Sequence, residues 1–192
     1  MKKRLLKGSL LLVIALLIGC AHHVDFKSPD LYLYESAVPL KMVFYMDKNM
    51  KDKMYSSRTH SGVYVFRWDV PIGNVVHQYA IAYLKNGFKD FNETENLPAK
   101  PSYDFLIKVI DINYYMRGQA AHSDLTFSIV NSSGKEIFNR KYHADGPSGF
   151  GRVFAGGAFA QKSAIRQSTH VVMETIFKNL VDDIRKDYTS WQ

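Results

Sequence analysis

Cysteine is the scarcest residue type in this sequence, since the chain of 192 residues contains only Cys20. One thiol cannot form an intramolecular disulfide, and it cannot supply the several thiolates of a cysteine-based zinc site. The stability of the fold must therefore come from packing. Apolar side chains are abundant enough for this, because hydrophobic residues make up 46% of the chain.

The positive charge of the chain is not concentrated on one segment of the expected domain. Of the formal net charge of +7, four charges belong to the N-terminal residues Lys2, Lys3, Arg4 and Lys7. The other basic residues are dispersed among Asp and Glu, which is typical of a solvated surface. Nucleic-acid binding needs a concentrated basic stripe, so we expect no nucleic-acid partner.

The N-terminus has the pattern of an export signal. Its basic residues precede an apolar run at residues 10–18, which is too short to span a bilayer as a mature helix. The run ends in Leu17-Ile18-Gly19-Cys20, which resembles the lipobox of bacterial lipoprotein precursors. The resemblance implies that Cys20 accepts the lipid and that Gly19 lets the signal peptidase reach the bond. The alternative is an ordinary N-terminal membrane anchor with a chance cysteine.

Residue 21 is Ala rather than Asp, which in lipoproteins of enteric-type bacteria resembles the pattern of export to the outer membrane. We therefore expect a protein anchored in the outer membrane through Cys20 and facing the periplasm. The expected organisation is a signal peptide at residues 1–19, a lipidated tether at 20–37 and one periplasmic domain at 38–192. Part of residues 31–34 could still pair with the sheet of that domain.

Local patterns predict the elements of the domain. Strands are expected at residues 40–47, 62–70 and 103–115, the last one bent or bulged, with a polar, turn-like stretch at 48–60. Residues 125–130 and 136–142 flank the turn Asn131-Ser132-Ser133-Gly134 and predict a hairpin.

Two helices are expected from apolar residues at steps of three and four. The first follows Pro71 for about five turns, and the second covers residues 163–188 and buries Val172, Ile176 and Leu180. The order strand, strand, helix, three strands, helix predicts an α+β fold. In this two-layer α/β sandwich, two amphipathic helices cover a mostly antiparallel sheet of about five strands.

The motifs of common hydrolases are missing. No G-x-S-x-G elbow or H-E-x-x-H pair occurs, and the adjacent acids Asp182 and Asp183 are typical of solvated helix charge. The pair His22-His23 lacks the ligand number of a metal site, while His77 and His170 are expected at boundaries or facing partners. We expect no enzyme, no cofactor and no metal.

The stretch at residues 145–160 alternates glycine with phenylalanine and contains one cation. One interpretation is a flexible connection whose phenylalanines pack beneath it. The other is an exposed surface for a partner or a second copy of the chain, because soluble monomers seldom leave such residues in water. The residues of this candidate surface are Phe150, Arg152, Phe154 and Phe159.

The order of elements resembles that of auxiliary lipoproteins of ABC-type lipid and polysaccharide transporters, and that of lipoprotein domains in outer-membrane secretion rings. The likeness is carried by the helix after Val70-Pro71-Ile72-Gly73, the strand opening at Tyr103-Asp104-Phe105, the turn Ser133-Gly134-Lys135 and the long last helix. It implies a non-catalytic subunit or adaptor of an envelope complex, in some cases a ring. The alternatives are a binding module for a lipid or other amphiphile and an envelope hydrolase.

Overall fold

The computed structural model describes residues 21–61, 64–97, 102–118, 120–148 and 150–191 of the chain. The described residues form eight strands, three helices and a 3-10 turn. In chain order they are β1 (Ala21–His23), β2 (Val38–Tyr45), α1 (Lys48–Lys51), β3 (Tyr55–Ser61), β4 (Tyr64–Val70), α2 (Ile72–Leu84), β5 (Phe88–Thr94), β6 (Phe105–Arg117), β7 (Ala120–Asn131), β8 (Glu136–Asp145), α3 (Phe150–Asp187) and a 3-10 turn (Tyr188–Trp191).

The larger sheet has five strands in the order β5-β2-β6-β7-β8. The longest pairings, β6 with β7 and β7 with β8, are antiparallel, while β2 runs parallel to both of its neighbours. Helices α2 and α3 pack against this sheet around one hydrophobic core. The predicted α+β class, with about five strands and two covering helices, is confirmed.

The predicted hairpin and bulge are both present. Strands β7 and β8 flank the turn, where Gly134 has a φ of 82° that side-chain-bearing residues rarely adopt. Strand β6 shifts register between Val109 and Asp111, so the intervening Ile110 is the extra residue of a bulge and is exposed.

Three strands, β1, β3 and β5, lie where none is predicted. The turn-like stretch at 48–60 contains the short helix α1 and strand β3, which pairs with β4 in continuous antiparallel register from Tyr55 to Ser61. Residues 88–94, which follow the predicted first helix, form β5 and pair with β2. Both segments are largely polar, so their sequences do not predict strands. They are stabilised as strands by pairing with their neighbours.

A second, three-stranded sheet in the order β1-β4-β3 also lies outside the prediction. It begins at Ala21, whose partner on the parallel strand β4 is Arg67. One face of this sheet is buried against the rest of the domain, where Trp68 and Val70 are almost fully inaccessible.

The apolar stripe of α3 faces the core as predicted. Val172, Ile176 and Leu180 are all fully buried. The helix nevertheless starts at Phe150, so the interpretation of residues 145–160 as a connecting loop is wrong from that residue onward. Helix α2 ends at Leu84 and is shorter than the five turns predicted.

Helix α3 is bent in its first half. Gly146 lies so close to Ser168 that a Cβ on the glycine would be 2.4 Å from the Ser168 carbonyl oxygen. The chain from Gly146 to Phe150 can span about 14 Å, whereas a straight helix from Phe150 to Ser168 would be about 27 Å long. The two ends meet only if α3 bends between these residues. Gly156 and Gly157 lie in this interval, and glycine is among the usual causes of a kink.

The segment predicted as a tether packs on the domain. Val24 is fully buried, and its backbone N–H donates to the Asp69 carbonyl over 2.9 Å. Further along, the Tyr32 N–H donates to Ala82 of α2, and the Tyr32 ring stacks on Tyr83 at 5.1 Å. Residues 31–34 therefore lie against a helix rather than pairing with a sheet.

Candidate functional site

A groove of about 500 Å³ opens between the N-terminal segment and helices α2 and α3. Its volume is within the range of small-molecule binding sites. Its walls are contributed by residues far apart in the sequence: Asp25, Phe26, Lys27, Tyr79, Arg166, Gln167 and His170.

One wall of the groove is an N-terminal strap held by α3. Lys162 Nζ donates to Asp25 Oδ2 over 2.7 Å, and Arg166 Nε donates to the Asp25 backbone carbonyl over 2.6 Å. The hydrogen bond from Lys162 is the main cause of the lowered pKa of Asp25. The strap places Phe26 and Lys27 in the lining of the groove.

The opposite wall carries a chain of polar contacts that orients His170. The Tyr79 hydroxyl is in hydrogen-bond contact with His170 Nδ1, and burial raises the pKa of Tyr79 to about 12. The hydroxyl thus keeps its proton at neutral pH and can donate it to Nδ1. On the other side of the ring, Nε2 lies 3.5 Å from Glu174 Oε2. Glu174 accepts from Lys178 over 2.7 Å, which lowers the pKa of the carboxyl.

The charges and rings of the groove favour an acidic ligand with an apolar part. Lys27 and Arg166 contribute two cations against the carboxylate of Asp25. Phe26 and Tyr79 supply the aromatic surface. These side chains are suited to bind such a ligand through ion pairs and apolar contacts.

A second polar cluster lies on the face of the five-stranded sheet that the helices leave open. The register of β7 and β8 places His122 opposite Asp145 and Asp124 opposite His143. His122 Nδ1 lies 2.5 Å from Asp145 Oδ1, and His143 joins both acids at 2.8 and 3.1 Å. The contact with Asp124 is the main cause of the raised pKa of His143.

The candidate site residues named from the sequence cannot be compared with the groove. Cys20 lies outside the described residues, and so do the side chains of the candidate partner surface, Phe150, Arg152, Phe154 and Phe159. The backbone of that surface is helical, with Phe150 and Phe154 one turn apart.

The structure also places the four histidines that the sequence analysis considered. His22 and His23 are consecutive on strand β1, so they point to opposite faces of its sheet and cannot chelate one ion together. His77 Nε2 contacts Glu93, while His170 lies in the groove. Within the described ranges, no group of three or more His, Cys, Asp or Glu side chains is placed to hold a metal ion.

Two contributors to the groove were not found from the sequence. Glu174 lies one helical turn after His170, a spacing that could have been detected. The strap at Asp25 could not have been detected, because its partner Lys162 lies 137 residues away.

Neither a family of known proteins nor a curated protein matches the chain. Among solved structures, the chain is similar to the hypothetical protein CT253 from Chlamydia trachomatis. The identity is 6% and the TM-score 0.40, over 75% of this chain and 95% of that one. In the part of the chain that the structure describes, no helix is both long and apolar enough to cross a membrane.

Proposed function

We propose that the chain is a lipid-anchored, non-catalytic subunit or adaptor of an envelope transport, secretion or surface-assembly complex. Its anchor would be Cys20 in the outer membrane, and its domain would face the periplasm. The observation that carries this proposal is the position of the groove. Strand β1 begins directly after Cys20, and the strap at Asp25 follows within a few residues. An anchored domain would therefore present its groove close to the membrane surface.

The anchor is tested by metabolic labelling with a fatty acid. Cells producing the wild-type chain or the Cys20→Ser variant are labelled, and the purified chains are compared. We expect label only on the wild type and loss of the variant from the membrane fraction. Equal labelling of both chains would refute the anchor.

The adaptor role is tested by the size of the assembly that the chain forms in solubilised membranes. The double variant Phe150→Ser/Phe154→Ser changes the candidate partner surface. If this surface binds a partner, the variant should sediment as a smaller species while its thermal unfolding stays close to wild type. A large loss of stability without a change in assembly size would instead place these residues in the core.

The groove favours a second candidate function, the binding of an acidic amphiphile. Phe26 and Tyr79 would contact its apolar part, while Lys27 and Arg166 would contact its acidic group. Native mass spectrometry of the mature protein, purified without detergent, would reveal a retained ligand. Titration with a fluorescent long-chain fatty acid would then measure affinity.

Two variants of equal charge change separate groove binding from general attraction. Lys27→Glu reverses a charge in the groove, whereas Lys135→Glu reverses an exposed charge in the β7–β8 turn. We expect about a tenfold or greater loss of fatty-acid affinity for the first variant, as for removal of a charged contact. Equal affinities of the two variants would exclude the groove as the binding site.

A further inference from the structure

The three-stranded sheet has an exposed face that adjoins the proposed lipid anchor. Trp68 and Val70 of β4 are buried on the other face, and side chains alternate along a strand. Arg67 and Asp69, which alternate with them along β4, therefore point away from the core. We call this surface the anchor-side face, and its described side chains are those of His23, Ser56, Arg58, Arg67 and Asp69.

The anchor-side face contains a like-charge pair. Arg58 on β3 is the direct cross-strand partner of Arg67 on β4, and both side chains are exposed. Such partners have Cβ atoms about 5 Å apart, and like charges in this arrangement destabilise a sheet. Asp69 is the acidic residue among the described side chains of the face. Its carboxylate accepts from Arg67 Nε over 3.2 Å and from the Ser56 hydroxyl. Among the described side chains, Asp69 contacts the guanidinium of Arg67 but not that of Arg58, so an external anion at Arg58 would complement the face.

The position of the pair indicates where this anion comes from. Arg67 is the register partner of Ala21, the residue that follows Cys20. Neighbouring strands lie about 4.8 Å apart, so the two arginines stand on strands about 5 and 10 Å from β1. These distances are comparable to the Debye length of about 8 Å at physiological ionic strength. Acyl chains on Cys20 would therefore bring both guanidinium groups within electrostatic range of the headgroups.

We infer that the anchor-side face docks on the anionic phospholipid headgroups of the membrane that holds the anchor, an inference that rests on the proposed lipidation of Cys20. Arginine suits this role because its planar guanidinium binds a phosphate through two parallel hydrogen bonds. Docking would relieve the repulsion between Arg58 and Arg67. It would also orient the domain on the bilayer, because a lipid anchor and a charged face together define one side of the molecule.

The test uses the mature chain starting at Cys20 in its unacylated form. Binding of this chain to vesicles is then due to the anchor-side face and not to acyl chains. Cosedimentation is measured with vesicles of phosphatidylcholine, with and without phosphatidylglycerol. The test variant is Arg58→Gln/Arg67→Gln, and the control is Lys89→Gln/Lys135→Gln, which removes the same charge from exposed positions at the other end of the large sheet. We expect binding only to the anionic vesicles, unchanged in the control and weakened about tenfold or more in the test variant.

The remaining outcomes decide against the inference. Equal binding of the two variants, or equal binding to both kinds of vesicle, would overturn it. The test variant should unfold at the same or a higher temperature, because it removes a repulsive pair. If the test variant does not fold, vesicle binding by the wild-type chain is measured at increasing salt concentration. Binding that does not weaken with added salt would also overturn the inference. Fatty-acid labelling of Cys20 in cells tests the proposed lipid anchor separately. The two experiments therefore distinguish a wrong assignment of the anchor from a wrong assignment of the anchor-side face.

Discussion

Leu180 offers a direct test of the packing of α3 on the sheet. Its side chain is fully inaccessible and belongs to the central cluster of buried residues. Replacing a buried leucine by alanine removes apolar contacts and leaves a cavity, which costs about 3–5 kcal/mol. A domain of this size loses about 2–4 °C in unfolding temperature for each kcal/mol. Leu180→Ala should therefore lower the midpoint by roughly 10 °C, measured by circular dichroism or calorimetry.

The chain contains a matched control for this substitution. Leu33 is 80% exposed, so Leu33→Ala makes the same chemical change at a site with little packing. We expect its free energy of unfolding to stay within about 0.5 kcal/mol of wild type. Similar midpoints for both variants would refute the assignment of Leu180 to the core. They would mean that the apolar stripe of α3 is covered by something other than this sheet.

Two further predictions concern the contact between Gly146 and Ser168 and the pair formed by His143 and Asp124. Gly146→Ala should lower the unfolding midpoint strongly, because the new Cβ would lie 2.3 Å from Ser168 Oγ and 2.4 Å from the Ser168 carbonyl oxygen; a midpoint equal to wild type would contradict this contact. The raised pKa of His143 predicts stability that is full below about pH 6.5 and is lost as pH rises through the folded-state pKa, while the lowered pKa of Asp124 predicts a loss at the acidic end. His143→Gln should flatten the decline in unfolding temperature as the pH rises above about 6.5, and an unchanged pH profile would argue against the pair.

Elements with strong local signals were predicted well. The β7–β8 hairpin depends on alternating apolar residues around a turn that ends in Gly134, and all of these lie within about twenty residues. The stripe of α3 repeats over several turns, so Val172, Ile176 and Leu180 could be assigned to the core from spacing alone.

The missed elements depend on contacts between distant segments. Strands β3 and β5 are polar, and they are strands because β4 and β2 pair with them. The start of α3 was misassigned because Gly156 and Gly157 weaken the helical pattern. The groove also escaped prediction, since it depends on ion pairs between Asp25 and a helix more than a hundred residues later.

The strap at Asp25 also has a consequence for the order of folding. Its contacts with Lys162 and Arg166 close loops of 137 and 141 residues, so they can form only after the last helix has been synthesised and packed. Contacts of such long range are also slow to form. Strand β1 can pair with β4 before then, because its partners lie only 46 residues away. The wall of the groove that the strap forms would thus be completed last, so the groove would exist only in the finished domain.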